Sequence, residues 1–311
     1  MTQTYPWLLA ATLLAVLAIA CPASAAEKIN VLIIDGQNNH NWKGTTPVIK
    51  DMLEKTGRFT VEVATTPPKP DAKKPLTDEQ KKAHQEAWAK FRPDFSKFKA
   101  VVCNYNDYGG GESWPEEVNK ALEKYMQDGG GLVIFHAANN AFANTPWTEW
   151  HKMIGLLWAK PDFGDRVAMD EAGKMVRQPK GQGPGAGHGP QRTYTIEIRD
   201  KEHPITKGLP EKWVHAKDEL YQGMRGPAEN LHILATAFAD PANKGTGMHE
   251  PLVWTVTYGK GRTFVCLLGH DVPQASHPGC VALMTRGTEW AATGAVTVPL
   301  PKDLAAAPAA K

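Results

Sequence analysis

The sequence lacks the charge imbalance that is typical of proteins that bind nucleic acids or membrane surfaces. Its 311 residues carry 35 Lys and Arg against 33 Asp and Glu, a formal net charge of +2. Basic residues form no long run outside the segment 69–82. Because clustered positive charge attracts polyanionic partners, we expect neither nucleic acid nor a membrane surface as a partner. A small molecule is favoured instead.

Acidic and basic residues are absent from the first 26 residues, where an apolar block at 8–20 precedes several small residues. This pattern predicts a signal peptide of residues 1–25, cleaved after Ala25, and therefore a periplasmic or secreted protein. The apolar block is too short to span a membrane. A lipoprotein anchored at Cys21 is the less favoured alternative, because Ala18 stands where a lipobox usually has Leu.

Cysteine is scarce as well. Only Cys103, Cys266 and Cys280 lie beyond the N-terminal segment, and an odd number in an exported chain indicates no disulfide framework. Cys103 and Cys266 stand within apolar, strand-like runs, where a thiol usually behaves as a small buried hydrophobic group. A Cys266–Cys280 bridge is the less favoured alternative.

The chain after the signal peptide is long enough for one large domain with a full core, and it contains no internal repeat. We expect an α/β domain at 26–295. An Ala- and Pro-rich segment at 296–311 is expected to be a flexible C-terminal tail.

Apolar runs alternate with segments of helical spacing, which predicts a mostly parallel central sheet with helices between its strands. The expected strands of the first half are 28–34, 59–64, 100–104 and 131–135. The expected helices are 45–55, 77–90, 113–128 and, near the end, 277–292. The later half is mixed, with strands at 193–198 and 232–237 and a C-terminal antiparallel hairpin of 252–258 and 262–268. The Gly- and Pro-rich segment 160–191 is expected to be a long irregular loop kept for function.

Polar side chains follow four of the expected strands. Ligands of open parallel sheets bind beyond the carboxyl ends of the strands, so we expect these residues to form one site. Imidazole transfers protons near neutral pH, Asn and Asp bind hydroxyl groups, and Trp and Tyr rings stack on sugars, which together favour a carbohydrate ligand. The residues are Asp35, Asn38, Asn39, His40, Asn41 and Trp42 after the first strand, Asn104, Tyr105, Asn106, Asp107 and Tyr108 after the third, His136, Asn139 and Asn140 after the fourth, and His270 and Asp271 after the hairpin.

His136 occupies the turn where some hydrolases place a Ser or Cys nucleophile. Because that turn offers neither a thiol nor a hydroxyl, a covalent acyl mechanism is disfavoured. A structural histidine bonded to a backbone carbonyl is the alternative at this position. The eleven histidines show no compact helical metal motif, so a metal site would need ligands from distant loops. No cofactor is assigned, and a divalent metal ion is the less favoured alternative.

Five ordered segments carry a family resemblance: DGQNNHNW at 35–42, GGGLVIFHAANNAF at 129–142, HPITKGLP at 203–210, DELY at 218–221 and GKGRTFVCLLGHD at 259–271. They resemble the trehalose-utilisation (ThuA-like) family over about 28–292. The resemblance implies a flavodoxin-like three-layer sandwich of the class I glutamine amidotransferase-like superfamily, with helices on both faces of the sheet. It also implies a role in bacterial sugar catabolism that is linked to keto derivatives of disaccharides.

Within this resemblance, His136 stands where the related amidotransferases carry their catalytic cysteine, so their triad does not carry over. The residues that match the family pattern are His40, His136, His203, Asp218, Glu219, Tyr221, His270 and Asp271, with His188 as a looser match. The predicted catalytic residues are His40, His136, Glu219 and His270. The predicted substrate-binding residues are Asp35, Asn39, Trp42, Asn104, Tyr105, Asn139, His188, Tyr221 and Asp271.

Two of the matching residues have structural alternatives. His203 precedes a proline, and a turn cap is its favoured role. Glu219 is followed by Leu220 and Tyr221, and partial burial there would raise its pKa and suit it to acid or base chemistry; exposure to solvent is the alternative.

The leading hypothesis is an exported enzyme that acts on a keto-glycoside or a related sugar derivative, with His136 and His270 as acid and base and Glu219 assisting. A keto group acidifies the neighbouring C–H, so cleavage could proceed by proton abstraction and elimination. A metal-assisted hydrolase is one alternative. The other is a non-catalytic carbohydrate-binding protein that uses as stacking platforms Trp42, Tyr105, Tyr108 and Trp147. Neither the sugar nor the oligomeric state is indicated by the sequence.

Overall fold

The computed structural model describes residues 1–2, 27–71 and 73–305. Residues 3–25 of the predicted signal peptide, with Cys21, and residues 306–311 of the predicted tail lie outside this range. Within the described residues, no helix is both long and apolar enough to cross a bilayer.

Side chains cap the first turn of several helices in the described residues, including α1 (Trp42–Glu54) and α2 (Asp78–Lys90). Helix α1 begins at Trp42, three residues before its expected start, because the side chain of Asn41 accepts a hydrogen bond from the backbone N–H of Gly44. Helix α2 begins after the capping box formed by Thr77 and Gln80, and it buries none of its side chains. The α-helices are α1 Trp42–Glu54, α2 Asp78–Lys90, α3 Glu116–Gln127, α4 Thr148–Ile154, α5 Val272–Ala275, α6 Pro278–Thr293 and α7 Lys302–Ala305; short 3-10 helices span Phe95–Lys97, His136–Asn140 and Pro241–Asn243.

The described residues also form fourteen strands. These are β1 Ile29–Asp35, β2 Phe59–Thr65, β3 Ala100–Cys103, β4 Gly131–Phe135, β5 Asp165–Met169, β6 Met175–Gln178, β7 Gly187–His188, β8 Thr195–Ile198, β9 Lys212–Val214, β10 Tyr221–Gln222, β11 Arg225–Gly226, β12 Leu231–Phe238, β13 His249–Tyr258 and β14 Gly261–Cys266. Twelve of them belong to one sheet, and β7 pairs with β10 in a second, two-stranded sheet.

The large sheet is parallel through its first five strands, in the order β2-β1-β3-β4-β14. The sheet then continues with β13, β12, β8 and β9, which pair antiparallel. Strands β3 and β4 are buried at every residue, as expected of apolar runs covered on both faces. The predicted α/β fold with a large sheet and intervening helices is confirmed, and the carboxyl ends of β1, β3, β4 and β14 lie at one edge.

The segment 160–191, which was expected to be an irregular loop, is partly regular. It contains the antiparallel pair β5 and β6 as well as β7. Its Gly- and Pro-rich part is held by the fully buried guanidinium of Arg225, which donates to the backbone oxygens of Gly164, Gln182 and Pro184. Because a side chain distant in sequence satisfies this backbone, the local pattern could not indicate the order.

Part of the predicted C-terminal tail is packed. Val298 and Leu304 are buried, and the buried carboxylate of Glu289 accepts hydrogen bonds from the backbone N–H groups of Thr297 and Val298. The domain therefore extends past residue 295, to at least α7.

The three cysteines within the described residues are free and buried. The alternative of a Cys266–Cys280 disulfide is therefore wrong in this structure. Burial raises the pKa of the Cys103 thiol to about 12, so this side chain acts as a small apolar group.

His203 generates a test of the fold's pH dependence. Burial, and then the neighbouring His232, lower the pKa of His203 to about 4, and its Nδ1 accepts a hydrogen bond from the Ile205 N–H. The pKa of an unfolded histidine is about 6.5, so between about pH 6.5 and pH 4 the unfolded chain binds more protons than the folded chain, and stability is lost as the pH falls through this range.

A His203→Asn variant keeps an acceptor but does not titrate. Chemical denaturation from about pH 7 to about pH 4.5 should therefore show a smaller loss of unfolding free energy in the variant than in the parent; parallel pH curves would contradict this.

Candidate active site

Three imidazoles and one carboxylate converge where the parallel strands end. His40 follows β1, His136 follows β4, His270 follows β14, and Glu219 lies just before β10, separated from it by Leu220. One ligand atom from each of these four residues lies within 4.8 Å of every other. The four predicted catalytic residues therefore form one cluster, which we call the His3Glu cluster.

His136 is held in a conformation that aims one nitrogen at Glu219. Its φ of +40° lies in the left-handed region, which a non-glycine residue adopts only when its surroundings impose it. The ring Nδ1 lies 2.7 Å from the carbonyl oxygen of Leu267, which only accepts, so Nδ1 carries the hydrogen. In the neutral ring, Nε2 therefore presents a lone pair, and this buried atom has no hydrogen-bond partner among the described residues. Both readings of His136 hold: it is bonded to a carbonyl, and it also faces the site.

The three imidazole rings enclose the Glu219 carboxylate from different sides. Their planes are nearly perpendicular, at 83° for His40 and His136, 81° for His40 and His270, and 90° for His136 and His270. Glu219 Oε2 lies 3.1 Å from His270 Nδ1, 3.5 Å from His40 Nε2 and 3.7 Å from His136 Nε2. One oxygen is thus the common neighbour of three imidazole nitrogens.

These contacts set the charge of the cluster. Burial alone would raise the pKa of Glu219, but the facing imidazoles of His136, His270 and His40 outweigh burial and hold the pKa well below its ordinary value. The partial burial expected for Glu219 is present, whereas the expected rise in its pKa is wrong, because three imidazoles face the carboxylate. Contact with Glu219 raises the pKa of His270, and burial lowers that of His40.

The donor set and spacing fit a divalent transition-metal ion. Zn²⁺ bonds to His nitrogens and carboxylate oxygens at about 2.0–2.2 Å, and a tetrahedron of such bonds has edges of roughly 3.4 Å. The distances from Glu219 Oε2 to the three nitrogens, 3.1, 3.5 and 3.7 Å, bracket that edge. The unpartnered lone pair of His136 Nε2 also supports a metal ion. This nitrogen faces an ionised carboxylate, and a positive charge between the two groups would relieve their repulsion.

A cavity of about 450 Å³ opens above the cluster. Its polar wall includes amide groups, and its aromatic wall includes Trp158 and Tyr221, whose ring centroids lie 4.7 Å apart. Neither Lys nor Arg is among the lining residues in the described part of the chain. The lining consists of Asn39, His40, Asn41, Tyr108, Asn140, Trp158, His188, Glu219, Tyr221, His270 and Asp271.

His188 reaches the cluster from the opposite side. Its Nδ1 lies 2.7 Å from the carbonyl oxygen of Gly189, so this nitrogen is the donor, and its Nε2 lies 3.5 Å from Glu219 Oε1. That oxygen is not the one that the other three imidazoles face. The short pairing of His188 with Tyr221, between β7 and β10, places the imidazole at the cavity.

The structure does not bring every predicted substrate-binding residue to the cavity. Asn39, His188, Tyr221 and Asp271 line it, whereas five others do not: Asp35, Trp42, Asn104, Tyr105 and Asn139. Asp35 is buried, its pKa is raised by burial, and it accepts a hydrogen bond from Thr65. Trp42 is the first residue of α1.

The remaining three residues outside the cavity hold the surrounding structure together. Asn104 donates to the hydroxyls of Thr45 and Thr46 and so ties β3 to α1. Tyr105 is fully buried against Trp114 and Phe142, and Asn139 donates to the Leu156 carbonyl. Among the four proposed stacking platforms, only Tyr108 lines the cavity.

Four cavity residues were not among the predicted catalytic or substrate-binding residues: Asn41, Tyr108, Asn140 and Trp158, of which Tyr108 was named only as a stacking platform. Asn41 and Asn140 do follow expected strands, so their positions carried a signal. Asn140 is 4% exposed and its Oδ1 has no hydrogen-bond partner among the described residues, so this acceptor is available to a ligand. Trp158 stands just before the segment expected to be irregular and follows no strand, so nothing local distinguished it.

The loops after β1, β3 and β4 are joined by one buried amide. The Nδ2 of Asn106 lies 2.8 Å from Asn38 Oδ1, 2.9 Å from Asn39 Oδ1 and 2.9 Å from the Ala137 carbonyl oxygen. It thereby links the loop that carries His40 to the turn that carries His136.

The comparisons with known proteins concern the family and the fold of the chain. Residues 30–291 match the family model ThuA, described as trehalose utilisation. A ThuA-like protein from Parabacteroides merdae ATCC 43184 is 42% identical, with a TM-score of 0.78, over 89% of this chain and 95% of that chain. A ThuA-like protein from Bacteroides uniformis ATCC 8492 is 18% identical, with a TM-score of 0.58, over 89% of this chain and 98% of that chain, a likeness of fold alone. No functionally curated protein matches the chain.

The Asn106 junction generates a stability test. In Asn106→Asp, an oxygen replaces the Nδ2 donor and faces the same three acceptors, and a buried unsatisfied group costs about 1–3 kcal/mol, or more if charged. We expect the free energy of unfolding to fall by at least about 3 kcal/mol in chemical denaturation. Asn144→Asp, at an exposed position, makes the same chemical change and should stay within about 0.5 kcal/mol. Equal effects of the two substitutions would show that the junction is unimportant.

Proposed function

The chain belongs to the ThuA family, and on that premise we propose that it is an exported enzyme that acts on keto-glycosides or related carbohydrate derivatives at a site built for a divalent metal ion. The observation that carries the proposal is the His3Glu cluster, in which three imidazole nitrogens surround one carboxylate oxygen at the base of a polar cavity. Within this proposal, the parallel strand order β2-β1-β3-β4-β14 supports the flavodoxin-like assignment of the fold. The exported location rests on the sequence of residues 1–25.

His40, His136, His270 and Glu219 would hold the ion. A divalent ion bound there would stabilise the negative charge that develops on the keto oxygen of the substrate. His136 is suited to this role because its Nδ1 bond to Leu267 fixes the ring and leaves Nε2 as the ligand atom.

The residues around the cluster fit the rest of the reaction. In the proposed step, a proton leaves the carbon beside the keto group, the glycosidic C–O bond breaks, and the leaving oxygen receives a proton. His188 is placed for one of these proton transfers, because it lines the cavity and contacts Glu219 from the side opposite to the cluster. The amide of Asn140 offers a free acceptor for a sugar hydroxyl, and Trp158 and Tyr108 offer aromatic surface.

Metal binding is the first test. The parent protein, stripped with a chelator and titrated with Zn²⁺ against a chromophoric competitor, should bind one ion per chain. His270→Ala should weaken this binding by more than about 100-fold, because loss of a ligand costs more than loss of an outer partner. His188→Ala is the matched control, since it removes an imidazole at a similar distance from Glu219 but outside the cluster. A parent that binds no Zn²⁺, or equal losses in both variants, would contradict the metal assignment.

Turnover is the second test. The Zn²⁺-loaded protein should release the free sugar from 3-keto-trehalose, and the activity should disappear with chelator and return with metal. His188→Ala should retain the ion and lose most of kcat, by about 10²–10⁴-fold if it transfers a proton. A folded, metal-loaded parent without activity on a panel of 3-keto-disaccharides would refute the proposed substrate class while leaving the metal site intact.

A further inference from the structure

A second carboxylate lies directly behind the His3Glu cluster. Asp218 is fully buried and does not line the cavity. Its Oδ1 accepts hydrogen bonds from the backbone N–H of Glu219 at 2.7 Å and of His270 at 3.3 Å. Its Oδ2 accepts from the backbone N–H of Gly269 and from His215 Nε2, both at 2.9 Å. All four donors converge on one side chain.

These bonds join two segments that are far apart in sequence. Glu219 precedes the short strand β10, and His270 lies in the turn after β14, so each is held by a different part of the fold. The backbone of Asp218 is itself fixed, because it exchanges two hydrogen bonds of 3.0 Å with Arg192. The turn after β14 is also restricted, since Gly269 adopts a φ of +111° and an added Cβ would lie 2.5 Å from the Phe135 ring.

We propose that Asp218 is the positioning residue of the metal centre, which sets the distance between Glu219 and His270 by holding the backbone of both. The proposal rests on the proposed function, since it assumes that the His3Glu cluster binds the ion. Asp218 never touches the ion or the substrate; it acts through the two ligands. A metal site needs its ligands within tenths of an ångström, and outer partners of metal ligands typically contribute 10–100-fold in affinity.

His215 belongs to the same arrangement. It is buried, its Nε2 donates to Asp218 Oδ2, and its ring packs against those of Tyr194 and His277. The hydrogen bond from His215 therefore helps to orient the Asp218 carboxylate so that each of its oxygens accepts from two donors. An amide at position 218 would present an NH2 group to two of these donors, and one of the two segments would have to move.

The test compares two isosteric substitutions of buried carboxylates. In Asp218→Asn, we expect Zn²⁺ affinity to fall by about 10–100-fold. The d–d absorption of the Co²⁺-substituted protein should also change, because the ligand geometry changes. Glu289→Gln is the matched control: Glu289 is equally buried and also accepts two backbone N–H groups and two side-chain donors, but it binds the C-terminal segment. Glu289→Gln should lower unfolding stability while Zn²⁺ affinity and the Co²⁺ spectrum stay as in the parent.

The outcomes separate the two proposals. If the parent binds no Zn²⁺, the proposed function fails before Asp218 is tested. If the parent binds Zn²⁺ and folded Asp218→Asn binds it equally well, or if Glu289→Gln weakens binding as much, Asp218 has only a structural role. Should Asp218→Asn not fold, His215→Leu and His215→Gln make the same comparison, because only the glutamine keeps a donor for Asp218. The leucine variant should then bind Zn²⁺ several-fold more weakly than the glutamine variant, and equal binding would overturn the inference.

Discussion

The structure depends on the electrostatic relation between Glu219 and the nitrogens around it. An ionised, largely buried carboxylate is stable only with donors or cations close by. Here imidazole nitrogens lie near both oxygens of Glu219. For His136, the bond from Nδ1 to Leu267 leaves Nε2 without a hydrogen in the neutral ring, so a carboxylate oxygen faces a lone pair. A bound ion, as proposed above, would remove this repulsion, because the nitrogen lone pair and the carboxylate oxygen would both face a positive charge.

The parallel half of the sheet makes the arrangement achievable. Because β1, β4 and β14 run in the same direction within one sheet, the residues that follow them meet at one edge without any special sequence between them. Glu219 does not follow one of these strands but lies just before β10 of the two-stranded sheet, so its position must be fixed separately. Asp218 holds the backbone N–H of Glu219, and Asn106 likewise links the loops after β1 and β4 by hydrogen bonds to both.

The sequence could predict which residues reach the edge of the sheet, but not the direction in which each side chain points. His40, His136 and His270 were expected at one site from the ends of their strands, and the structure brings them together. Asn104 and Tyr105 have the same kind of position, yet they turn inward to tie α1 and to fill an aromatic cluster. The pKa of Glu219 was expected to rise because Leu220 and Tyr221 follow it, whereas the decisive neighbours are the imidazoles of His40, His136 and His270, all distant in the chain.

The turn at His136 resembles, in its backbone strain, the turn on which some hydrolases place a nucleophile. Hydrolases that place a nucleophile on such a turn use the strained backbone to hold one reactive atom in a fixed position beyond the sheet. In this chain, the residue is a histidine whose φ of +40° is still in the left-handed region, although no nucleophile benefits from it. Strain of this kind persists only where the surrounding structure imposes it, and here the bond to Leu267 and the packing of the ring on Tyr221 do so. The same backbone geometry that would fix a thiol thus fixes His136 Nε2, which is a metal ligand in our proposal, so that one kind of turn would serve either covalent chemistry or chemistry at an ion.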